Sequence, residues 1–95
     1  MKLQVIEGAF SVCKVPSIEG LDLTRPFSFL SVTDDEISYV CRTDFLPKDP
    51  LAVEPGWRAL KIEGVLDFGM IGVIAALSAH LAQAGISLFV ISTFN

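Results

Sequence analysis

The sequence predicts an α+β domain, on three observations. Stretches rich in β-branched and aromatic residues, at 3–15, 27–33, 37–42 and 57–63, read as strands. Met70, Val73, Ile74, Leu77, Leu81 and Ala84 recur at helical spacing. From Phe68 to Asn95 there is no Asp, Glu, Lys or Arg, the composition of a helix and strand that are both buried. At 95 residues the chain has the length of one small domain.

The first strand runs from Leu3 to Val15, with Gly8 as its bulge or bend. Phe10, Val12 and Val15 are apolar, and Cys13 suits either face. Pro16 to Pro26 mixes Pro, Gly, Asp and Ser and reads as loop. Phe27–Thr33 and Ile37–Arg42 form a hairpin across Asp34-Asp35-Glu36. Phe45 to Gly56 contains three prolines and reads as a linker, the one internal boundary. Trp57 to Glu63 alternates, with Leu60 and Ile62 on one face. After a turn at Gly64–Gly69 the helix starts near Phe68 and stops at Gly85, a left-handed C-cap. Ile86 to Ser92 completes the chain as its most buried strand, closing a right-handed parallel βαβ unit. The far face of the helix (Gly72, Ala75, Ala76, Ala79, Gln83) carries no charge, and its small side chains suit burial against a partner helix.

Charge and composition exclude several roles. The net charge of −4 has the wrong sign for a nucleic-acid binder or an anionic membrane surface. Hydrophobic residues at 52 % argue against disorder. The chargeless C-terminal stretch exceeds the roughly 20 residues of a membrane span. Ser78, His80, Gln83 and Gly85 interrupt it, and no basic anchor flanks it, so no span is expected. Two cysteines make no disulfide scaffold; Cys13 and Cys41 read as reduced thiols of a cytoplasmic protein. Residues 1–8 lack the apolar core of a signal peptide.

Catalytic groups are sparse. His80 is the sole histidine and sits on the helix flank, so no metal cluster is expected. The cysteines lack CxxC spacing, and no phosphate-loop, nucleophile-elbow or dinucleotide pattern occurs. Asp34-Asp35-Glu36 reads as a charged turn. Neither catalytic residues nor a cofactor are expected. The promising feature is the turn Gly64, Val65, Leu66, Asp67, Phe68, Gly69. Its glycines permit close approach, and the following helix aims unpaired N–H groups at it, a suitable place for a carboxylate. Asp67 also fits an N-cap, which consumes one or two of about four donors and leaves the rest for a ligand.

The run Gly56-Trp57-Arg58-Ala59-Leu60-Lys61-Ile62-Glu63-Gly64-Val65-Leu66-Asp67-Phe68, then Gly72-Val73-Ile74, Ala84-Gly85-Ile86-Ser87 and Ile91-Ser92-Thr93-Phe94, resembles the ACT-like small-ligand-binding proteins. It is most similar to a small bacterial branch with two ACT-type halves, related to the cytosolic arginine sensors. Ser11–Pro16 and Phe29–Thr33 extend the resemblance more loosely into the first half. The resemblance implies a ferredoxin-like fold, with a β-rich ACT-like half at 1–55 and an incomplete ACT-like βαβ half at 56–95. It implies regulatory binding of an amino acid or similar small molecule between ACT units, and hence a homodimer or higher oligomer. The positions matching the family's site are Gly64, Val65, Leu66, Asp67, Phe68, Gly69, Gly72 and Val73, with Ser92, Thr93 and Phe94 at the end of the next strand. Two departures qualify it. Met70 stands where the arginine sensors have an acidic side chain, so arginine specificity does not carry over. The family continues past this point with a further strand and helix, which implies either a fragment or a sheet neighbour from another subunit. A structural adaptor using the same faces without a ligand is the alternative expectation.

Overall fold

The computed structural model describes residues 2–63 and 68–91. Their element order is β1 (Lys2–Lys14), β2 (Phe29–Val32), β3 (Ile37–Arg42), a 3-10 turn at Thr43–Phe45, β4 (Ala52–Glu63) and α1 (Phe68–Gln83). The strands make one sheet in the order β2-β3-β1-β4. The expected α+β class holds. Gln4–Lys61 forms one compact unit and the remainder of the described chain another.

Within residues 4–61 the largest buried cluster lies on one face of the sheet, while Ile6 and Phe10 are buried as well, Phe10 on the opposite face from Ser11. β1 and β3 run antiparallel with Ser11 opposite Cys41 and Cys13 opposite Tyr39. Side chains two apart point the same way, so Ser11, Cys13, Tyr39 and Cys41 share a face. All four are almost fully buried. Val15 joins them, with Leu21, Leu30, Ile37 and Leu46 packed around the edge. Ser11 tolerates its burial because its hydroxyl bonds the Thr43 hydroxyl at 2.7 Å. Gly8, inside β1, has φ +101°, the left-handed backbone expected of a bulge glycine.

The hairpin forms as expected. β2 pairs antiparallel with β3, and the turn is held by Thr33, whose hydroxyl oxygen accepts from the Asp35 and Glu36 N–H groups at 3.2 and 3.1 Å. β2 begins at Phe29, two residues later than the sequence predicts. Phe27 has φ +61°, which no strand accommodates.

The linker expectation needs correction. β4 begins at Ala52, so the last five residues of the expected linker, Pro55 and Gly56 included, lie in a strand. β4 is the edge of the sheet, where a proline's missing N–H has an outer side to face. Gly56, at φ +85°, takes up the local distortion. Leu60 is 45 % exposed, while Trp57, Ala59 and Ile62 are half-buried, so the alternation breaks at Lys61, and Leu60 and Ile62 do not share a covered face.

α1 agrees with its spacing. Val73, Ile74, Leu77 and Leu81 are half-buried, while Gly72, Ala75, Ala76, Ala79 and Gln83 are exposed; Ala84, expected on the stripe, is exposed too. Gly85 ends it at φ +72°, with its N–H bonded to Ala82 O at 3.0 Å and the Ile86 N–H to Leu81 O at 2.8 Å. That pair of bonds is the Schellman closure.

The strand expected over Ile86–Ser92 is a second correction. Residues 86–91 carry no strand, and the apolar side chains among them are 41–57 % exposed rather than buried. β-branched composition makes a strand only where a ladder partner exists. The segment joins no ladder of the four-stranded sheet, so the parallel βαβ unit does not close among the described residues.

Candidate functional site

α1 is sixteen residues long and has no acidic residue in its first turn. The first four N–H groups of any helix lack partners within it, and its N-terminal end carries partial positive charge. Phe68 and Gly69 open the helix, and Gly72 and Val73 lie in its second turn. Gly72 is exposed, and a Cβ built there would meet nothing within 4 Å, so the helix surface stands open at that point. Val73 is half-buried. The helix thus brings together four of the expected site residues. Gly64, Val65, Leu66 and Asp67, and Ser92, Thr93 and Phe94, lie outside the described residues.

The chemistry of the remaining polar groups is quiet. Cys13 and Cys41 are free and buried. Burial, and secondarily the neighbouring Cys13, push the Cys41 thiol up to about 11; burial raises Cys13 too. Such thiols are protonated and poorly nucleophilic at neutral pH. His80 lies exposed on α1. Among the described residues no three His, Cys, Asp or Glu side chains could jointly hold a metal ion, and no helix is long and apolar enough to cross a membrane.

A second feature, in residues 4–61, escaped the sequence reading. The segment 15–28, of which 16–26 was expected as loop, carries no helix or strand and borders an open cleft of about 470 Å³. Tyr39, rising from the core, donates its hydroxyl proton to the Asp22 carbonyl at 2.7 Å and so ties this segment to the sheet. The Arg25 guanidinium lies 3.6 Å above the Phe45 ring and pairs through Nε with the Asp22 carboxylate at 3.2 Å. The Thr24 hydroxyl and N–H bond the same carboxylate and, with Arg25, hold its pKa below the ordinary value. Burial raises the Tyr39 phenol. The signal is length, and it is visible only in the structure: fourteen residues without regular structure are uncommon in a compact domain unless the loop is functional.

Comparison with known proteins accords with this geometry. Residues 52–95 match the model of an ACT domain. A crystal structure of a protein from Agobacterium tumefaciens is similar to the chain at TM-score 0.78 and 32 % identity, over 97 % of this chain and 70 % of that one. No curated protein matches. The sheet with its single described helix is of the ferredoxin-like ACT type.

Proposed function

The chain belongs to the ACT-domain family, and from that premise we propose that it is a regulatory module that binds an amino acid or a similar small metabolite. ACT domains are in general regulatory small-ligand-binding modules. The proposed site is the turn Gly64–Gly69 with Gly72 and Val73, walled by Ser92–Phe94 and by a second ACT unit. One observation carries the reading: at Gly72 the start of α1 is exposed and unobstructed. A ligand lying over Gly72 with its carboxylate one turn earlier, at the end of the helix, gains the unpaired amides and the positive end of the dipole. We read the module as non-catalytic and without a cofactor, which the protonated, buried thiols support. The same free thiols support a cytoplasmic location. The net charge of −4 supports a partner other than nucleic acid.

Thermal denaturation with each of the twenty amino acids at millimolar concentration tests it. A binder raises Tm by mass action, and occupancy at a hundred times Kd adds about 2.7 kcal/mol. Gly72→Trp fills the open surface and abolishes that response while unliganded Tm is retained. No shift with any amino acid overturns the reading.

A second reading, a homodimeric adaptor without a ligand, is favoured by the exposed uncharged face of α1 and the exposed apolar side chains at 86–91. Under it, Gly72→Trp weakens self-association, measured by sedimentation, and metabolites change nothing.

A further inference from the structure

We propose that the cleft beside the 15–28 loop is a second binding site, for a small carboxylate with a short apolar body, and that Arg25 is its anchor. The cleft belongs to residues 4–61 and does not involve α1. Its volume of about 470 Å³ lies in the range of small-molecule sites. Leu21, Leu46 and Pro47 supply apolar lining for the ligand body.

Arg25 is restrained from two directions. Phe45 lies flat beneath the guanidinium, and Asp22 holds Nε. The ion pair is made through Nε, which leaves the terminal amino groups to act as a planar fork for a carboxylate. The side chain is nevertheless 46 % exposed, so a ligand reaches it. A guanidinium already immobilised loses less entropy on binding than a free one. Lys48 adds a second positive charge to the lining, and Glu19 and Asp22 bring two negative ones; Asp22 is engaged with Nε of Arg25, and Glu19 turns a carboxylate toward Arg25 and Lys48. The loop is fixed by its own bonds, Ser28 Oγ to Arg25 O at 2.7 Å and Tyr39 to Asp22 O at 2.7 Å. The cleft is therefore preformed rather than assembled around a ligand.

The test is an NMR titration of the intact chain with isovalerate and, in parallel, its neutral amide. Isovalerate is expected to shift the Arg25, Tyr39 and Lys48 signals and the amide to leave them in place. Arg25→Gln weakens isovalerate about tenfold. Arg25→Lys, which keeps the charge but loses the fork, falls between. Lys48→Gln, which removes the second positive charge of the lining, weakens isovalerate as well. Equal binding of acid and amide, or unchanged affinity in folded Arg25→Gln, overturns the site and leaves the Arg25–Phe45 stack as a loop staple. If Arg25→Gln fails to fold, unchanged affinity in Lys48→Gln overturns it equally. Gly72→Trp leaves isovalerate binding intact, so failure here and failure at α1 are told apart.

Discussion

Residues 4–61 and the chain after 61 use apolar side chains in opposite ways. The first region is the more polar in sequence, yet every fully buried side chain described (Ser11, Cys13, Tyr39 and Cys41) belongs to it. The second holds the chargeless stretch from Phe68 to Asn95, yet its described side chains are half-buried at best, and those at 86–91 are exposed. The difference teaches that burial follows pairing and not hydrophobicity. β1 and β3 place alternate residues on a common face, and the 15–28 loop and Leu46 cover it. Residues 86–91 have the composition of a strand without a ladder.

The sharpest way to break the comparison is to remove what the first region buries. Tyr39 is 2 % exposed and stands at the centre of the core. Tyr39→Ala leaves a large cavity and cuts the tie to Asp22, so it costs about 3–5 kcal/mol in urea denaturation. Were the loss below about 1 kcal/mol, the stability of the domain would have to reside outside this face.

Alkali probes the same core less violently. The Cys41 thiol ionises near 9.0 when exposed and near 11 in the folded chain. The unfolded chain therefore releases its proton first, and folding keeps it. That contribution is fully present below pH 9 and is lost as pH rises toward 11. Cys13 and Tyr39, both raised, act in the same direction. Urea midpoints at about pH 8 and about pH 10.5 should fall with pH, and Cys41→Ala should flatten the fall.

Much of the fold was legible for local reasons. Thr33 through Glu36 close the hairpin with their own hydrogen bonds, and Gly85 announces a left-handed C-cap. The 3.6 period picked out Val73, Ile74, Leu77 and Leu81. What was not legible depends on neighbours. Pro55 sits in a strand because β4 lies at the sheet edge, and no local pattern states which strand that is. The Arg25–Phe45 stack joins residues twenty apart through the fold. Of the candidate site, the helix start was readable from the glycines around position 69, whereas the open surface at Gly72 is a property of packing.

The second region responds more weakly, first at its one well-defined closure. Gly85 has φ +72° and donates in the Schellman pair. Gly85→Ala forces a Cβ into that conformation and costs about 1 kcal/mol of thermal stability. A neutral result would mean that the end of α1 contributes nothing to cooperative unfolding.

The smallest effect on stability is expected at Leu88, and it separates folding from assembly. The side chain is 42 % exposed in a segment with no ladder. Replacing it with Ser removes no core contact, so unfolding free energy changes by less than about 0.5 kcal/mol. If residues 86–91 are covered by a second copy, the same substitution shifts sedimentation toward monomer, because an exposed apolar run is the surface that association removes from water. A large stability loss measured on the monomer itself would instead place Leu88 in a core, and the contrast between the two regions would disappear.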